Sequence, residues 1–221
     1  MVVNSYDIDL SYLTLDGTCI ILDLSWDCTI SRCTISSVPG DGVYLSDCSG
    51  NIIDACSITS SAATGIALEA TTTTTISNNL LQDNTDEEIF IYGDSMGNQI
   101  YYNQIYVGLE SVKDNGFSNT WDNGVSYGNW WSDYGGTGTY TIPGTAGSVD
   151  NYPRGPSSTD TTPPPLPTTT TPLSNYTTTP GLGGVLIRSW TPMDLTIRVV
   201  LVLAIGMIYG ALVVLFIKRL R

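Results

Sequence analysis

The chain has 221 residues, with 21 acidic and 8 basic side chains, no histidine and a formal net charge of −13. Every acid lies at or before Asp194 while four of the bases follow it, so residues 1–194 carry 4 − 21 = −17. A surface this acidic repels nucleic acid and anionic lipid headgroups, which excludes nucleic-acid binding and favours a cation or a basic partner. Five cysteines (Cys19, Cys28, Cys33, Cys48, Cys56), with no CxxC pair and no histidine, exclude an ordinary zinc site.

Residues 1–105 repeat with a period near 23. Leu22, Leu45, Leu68 and Ile91 form one apolar column; Ile30, Ile53, Ile76 and Ile100 a second; Ile35, Ile58, Leu81 and Ile105 a third, preceded by a partial unit at Ile8 and Leu13. Each row holds three short alternating segments separated by small polar residues, hence three strands and three turns. Strands this short bury themselves only by stacking on the next unit. The predicted fold is therefore all-β: a right-handed parallel β-helix of four to five coils, each rising about 4.8 Å.

Two polar columns support the stacking. Cys28, Asn51, Thr74 and Asn98 align, as do Cys33, Cys56, Asn79 and Asn103, in the manner of asparagine ladders. Cysteine in such a column is a small buried thiol. Cys33 and Cys56 are the one stacked pair within reach of a disulfide, a strained one because their Cβ directions are parallel. Among the acids, Asp23 and Glu69 share a column two coils apart, with Asp47 one column over on the coil between; together they form a candidate Ca²⁺ site, set against a solvated acidic face. Asp86, Glu87 and Glu88 read as a solvated turn. The N-terminal coil, if its edge is open, offers a route to self-association.

Residues 106–156 lose the period and are read as the C-terminal cap, rich in Gly, Asn and aromatics. Trp121, Trp130, Trp131 and Tyr134 are the aromatic residues to watch, either as the plug of the open core or as a platform for stacking sugars. Three segments here, Trp121-Asp122-Asn123-Gly124, Gly128-Asn129-Trp130-Trp131-Ser132-Asp133-Tyr134 and Val149-Asp150-Asn151-Tyr152-Pro153, resemble the motif that closes NosD-type, pectate-lyase-like right-handed β-helix proteins of archaeal cell surfaces. The resemblance covers about 150 residues. It implies the β-helix architecture and an association with copper delivery to a periplasmic oxidoreductase. The chain departs from the copper role: it has no histidine, its methionines are scattered, and its thiols are expected to be buried.

From Ser157 to Pro180, 19 of 24 residues are Thr, Pro or Ser, so residues 157–181 are expected to form an extended stalk, with Asn175 in an N-glycosylation sequon. A juxtamembrane segment (182–194) leads to a transmembrane helix (195–217), whose uncharged run Val199 to Ile217 is 19 residues long. The basic tail 218–221 places the C-terminus in the cytoplasm and the domain outside. The opening MVVNSYDIDL has no signal-peptide pattern and the repeat starts in mid-unit, which reads as an incomplete N-terminus, the rival being a tail-anchored protein with its bulk in the cytoplasm.

The function expected from the sequence is a membrane-anchored, surface-displayed, non-catalytic structural, adhesion or glycan-contact module, with surface glycans or envelope proteins as partners and no cofactor beyond Ca²⁺. The alternative is a fragment of a carbohydrate-active enzyme, a polysaccharide lyase or glycosidase, whose catalytic coils are missing or degenerate. Arg32 as the only basic residue of residues 1–105 argues against a lyase.

Overall fold

The computed structural model describes residues 2–108, 112–158 and 162–165. The expected stalk beyond residue 165, Asn175, the juxtamembrane segment, the transmembrane helix and the basic tail lie outside the described residues. Among the described residues no helix is long and apolar enough to cross a membrane.

The described residues form a right-handed-type parallel β-solenoid of about five turns. The first sheet stacks Val2–Val3, Ile20–Asp23, Val43–Ser46, Ile66–Glu69, Ile89–Tyr92 and Val112–Asp114. The second stacks Asp9–Ser11, Thr29–Ser31, Ile52–Asp54, Thr75–Ser77 and Gln99–Tyr101; the third runs from Thr14–Asp16 through Thr34–Ser36, Ser57–Thr59, Leu80–Gln82 and Gln104–Ile105 to Trp130–Trp131.

Register is set by the apolar columns. Leu22 pairs Leu45, Leu45 pairs Leu68 and Leu68 pairs Ile91. Ile30, Ile53, Ile76 and Ile100 align likewise, as do Ile35, Ile58, Leu81 and Ile105. All of these side chains are buried. A one-residue slip would turn each of them out to solvent, so the alternation enforces the pairing.

The first coil corrects the expected partial unit. Leu10 pairs Ile30 and Leu15 pairs Ile35, so these residues, and not Ile8 and Leu13, continue the columns. The cause is a short corner: residues 17–19 link the third sheet to the first here, against residues 37–42 in the next coil.

The corners depend on left-handed residues. Between the second and third sheets, Tyr12, Arg32, Ala55, Asn78 and Tyr102 have φ of 58°, 53°, 53°, 56° and 62°. A non-glycine residue pays roughly 1–2 kcal/mol there. Its N–H is compensated by the next coil: Tyr12 donates to Ser31 O, Arg32 to Asp54 O, Ala55 to Ser77 O and Tyr102 to Gly128 O.

The stack runs one coil beyond residue 105. Val112 pairs Ile89, Thr120 bridges Gln99 and Trp130 pairs Gln104, at offsets of 23, 21 and 26 residues. Those unequal offsets are why the period fades in the sequence. An antiparallel hairpin, Tyr140–Thr141 with Val149–Asp150, follows. At the start of the Thr/Pro segment, Gln104 Nε2 donates to Pro164 O and Pro164 is buried.

Candidate functional site

Inward Leu and Ile in the first sheet force their neighbours outward, so two outer columns are fixed by register. One is Ile21, Tyr44, Ala67, Phe90 and Lys113; the other is Asp23, Ser46, Glu69 and Tyr92. Across three coils these form a strip. The Tyr44 hydroxyl donates to Glu69 Oε2, and the Tyr92 hydroxyl donates to the same oxygen at 3.3 Å. The Phe90 and Tyr92 rings stack at 4.5 Å with 27° between planes. Lys113 Nζ lies 5.5 Å from the Phe90 centroid and 3.9 Å from a Glu87 oxygen.

Burial, followed by the neighbouring Glu69, holds the Tyr44 phenol above its ordinary range. Burial, followed by Tyr44 and Glu69, does the same to Tyr92. Both phenols therefore stay protonated as donors to the carboxylate. Tyr44, Glu69, Phe90 and Tyr92 are all half-buried, which leaves part of each accessible.

The expected cation site does not assemble. Asp23 and Glu69 do share a column, separated by Ser46, and Ser46 Oγ contacts the adjacent Asp47 at 3.4 Å. Yet Glu69 is held by two phenols, and among the described residues no three His, Cys, Asp or Glu side chains converge on one point.

The expected sugar platform in the cap is also corrected. Trp121 and Trp131 are 0% exposed, Trp130 7% and Tyr134 8%, so none offers a ring face to a ligand. Trp121 and Trp131 fill the end of the core because each of these two indole N–H groups has a buried carboxylate to satisfy it. Trp121 Nε1 donates to Asp114 Oδ2 and Trp131 Nε1 to Asp150 Oδ2, both at 3.0 Å.

These carboxylates end the polar ladders. Asn79 Nδ2 donates to Asn103 Oδ1 at 3.0 Å, Asn103 Nδ2 to Asn129 Oδ1 at 2.9 Å, and Asn129 N to Asp150 Oδ2 at 2.7 Å. In the parallel ladder Asn98 Nδ2 reaches Asn119 Oδ1 at 3.1 Å, and Asn119 Nδ2 reaches Asp114 Oδ1 at 3.0 Å. Burial raises Asp150 to about 6. Glu87 and Glu88 are buried too, contrary to the solvated turn expected for Asp86, Glu87 and Glu88: Glu88 is 1% exposed, and burial raises it to about 7. Glu88 accepts from Asn84 Nδ2 at 2.5 Å, while Asn84 Oδ1 accepts from Ser61 N at 2.9 Å.

The thiols are free, and all but the half-buried Cys19 are buried. Cys33 and Cys56 form no disulfide. Cys33 Sγ donates to Leu10 O and Ser31 O, Cys48 Sγ to Leu22 O and Ser46 O, and Cys56 Sγ to Ile30 O and Asp54 O.

Sheet stacking and the asparagine ladders define a parallel β-solenoid. The chain belongs to the NosD family: the model described as periplasmic copper-binding protein (NosD) matches residues 1–136. No curated protein sequence matches the chain. Among solved structures, a single-substitution mutant of the periplasmic alginate epimerase AlgG aligns with TM-score 0.50 and 14% identity, covering 71% of this chain and 36% of that one. A second AlgG structure aligns with TM-score 0.40 and 14% identity, over 56% and 31% of the two chains. The chain thus spans about a third of the length of these neighbours, and the likeness is one of fold.

The copper in the family description does not fit the residues described here. Copper is held by thiolate, thioether or imidazole donors. This chain has no histidine. The buried sulfurs of Cys33, Cys48 and Cys56 act as thiol donors to backbone carbonyls, a use that requires the proton a metal would displace.

The strip was readable in the sequence once the leucine column had set the register, because every second residue from Leu45, Leu68 and Ile91 must face out.

Proposed function

We propose that this protein is a surface-displayed, non-catalytic β-solenoid that contacts glycans through the strip of Tyr44, Glu69, Phe90 and Tyr92. The observation that carries this reading is the convergence of two phenol hydroxyls, from the coils on either side, on one carboxylate beside a stacked aromatic pair. Ring faces edged by hydrogen-bonding groups suit pyranose rings, which are apolar on their faces and polar at their rims. Both phenols are pushed away from ionisation and are poor bases at neutral pH, which favours binding over lyase chemistry. The uncharged run Val199–Ile217 and its basic flank support single-pass anchoring with the solenoid outside.

A glycan array probed with the full chain in nanodiscs tests the reading. Retention on defined glycans, lost in Tyr92→Ala with unchanged melting, is the expected result. Failure to retain any glycan would overturn it. Release of new reducing ends or unsaturated sugars from a bound polysaccharide would favour the enzymatic alternative. Protease added to intact cells should cut the solenoid and spare a C-terminal tag; protection of the solenoid would overturn surface display.

A further inference from the structure

We infer that the glycan held by this strip carries ammonium groups: a polymer of amino sugars with free amines. This rests on the glycan-contact reading above and narrows it to a ligand class.

Three observations converge on a cation. The first is the geometry at Glu69. Both phenols donate to Oε2, and among the described residues no hydrogen-bond donor reaches Oε1, so one oxygen of a half-buried carboxylate is left for a ligand. A neutral sugar can offer this oxygen a hydroxyl donor but no charge, whereas a ligand ammonium supplies both a hydrogen bond and the opposite charge.

The second is that the same aromatic row already holds an ammonium. Lys113 places its Nζ 5.5 Å from the Phe90 centroid with a Glu87 oxygen 3.9 Å away, a cation over a ring face with a carboxylate at its edge. Tyr92, stacked on Phe90, and Glu69 repeat those ingredients one column across. A ligand amine above Tyr92 and against Glu69 Oε1 would reproduce the internal pair.

The third is the field around the strip. Residues 1–105 carry Arg32 as their one basic residue, and the strip's one base, Lys113, is engaged by Glu87. An acidic surface concentrates cationic polymers and repels uronates. The charge therefore points away from the polyanionic class to which alginate belongs.

The test is calorimetric titration of the full chain in nanodiscs with a glucosamine hexamer, its N-acetylated counterpart, an alginate hexamer and a lysine hexapeptide, at a pH where the amines are charged. The free-amine hexamer should bind about tenfold or more tighter than the acetylated one, weaken with added salt, and lose about tenfold in Glu69→Gln. Alginate should not bind. Equal binding of the acetylated hexamer, or binding of alginate abolished by Tyr92→Ala, would overturn the ammonium inference while leaving glycan contact intact. If none of the sugars binds, both readings fail; binding of the lysine peptide alone would assign the strip to a protein partner. Glu69→Asp, which keeps the charge, guards against a folding artefact: a fold intact by melting with amine binding as weak as in Glu69→Gln would also overturn the inference.

Discussion

Trp131 donates its indole N–H to the buried carboxylate of Asp150 at 3.0 Å, and that carboxylate also ends an asparagine ladder running through Asn129, Asn103 and Asn79. A fully buried tryptophan of the cap and the polar spine of the coils thus share one acceptor, which joins the plug to the stack.

Asp150→Ala removes the acceptor for Asn129 N, Trp131 Nε1 and Tyr152 N together. Stranding several buried donors costs on the order of 2–4 kcal/mol. Asp150→Asn keeps shape and one acceptor oxygen and should lose less. Urea unfolding followed by tryptophan fluorescence checks both.

Gly128→Ala should act through the same residue from the other side. A Cβ at position 128 would fall 1.8 Å from Asp150 Oδ1, so the carboxylate must move off its donors. The expected loss is comparable to that of Asp150→Ala, and combining the two substitutions should cost less than their sum. A double-mutant cycle in urea measures it.

Stability should fall as pH rises from about 4 to about 7. Asp150 is raised from 3.8 to about 6 and Glu88 from 4.5 to about 7, each by burial. A carboxyl raised in the folded state contributes stability that is complete below its unfolded value and is lost as pH climbs through the folded one; here that is at most about 3 kcal/mol per group. Urea midpoints across this range should decrease, and Glu88→Gln should flatten the upper part of the decline. A midpoint rising with pH would contradict the assignment.

The ladder positions should prefer asparagine to cysteine. Cys56 Sγ accepts from Cys33 N at 3.4 Å, where Asn79 Oδ1 accepts from Cys56 N at 2.8 Å one coil on. Cys56→Asn should hold or raise stability, while Cys56→Ala should cost about 1–2 kcal/mol. In the native protein a thiol reagent should label Cys19 alone, with the other four reacting only on unfolding.

The solenoid was legible in the sequence. Leu22, Leu45, Leu68 and Ile91 recur at one interval because every coil must place an apolar residue over the last, and the same demand places Asn79 over Cys56. The resemblance to the NosD family was likewise legible in the segment around Trp130 and Trp131, which lies at the end of the matched residues 1–136. What those tryptophans do was not legible there, because a ring that stacks on sugar and one that fills a core look alike until burial is known. The first coil's offset, the corners at Tyr12, Arg32 and Ala55, and the burial of Glu88 were likewise settled only by the tertiary structure. Left-handed φ at non-glycine residues leaves no compositional mark, and it is tolerated because the next coil supplies the acceptor. The clasp of Tyr44 and Tyr92 on Glu69 joins residues one repeat apart in sequence, and their contact exists only because stacking brings successive coils to within about 5 Å.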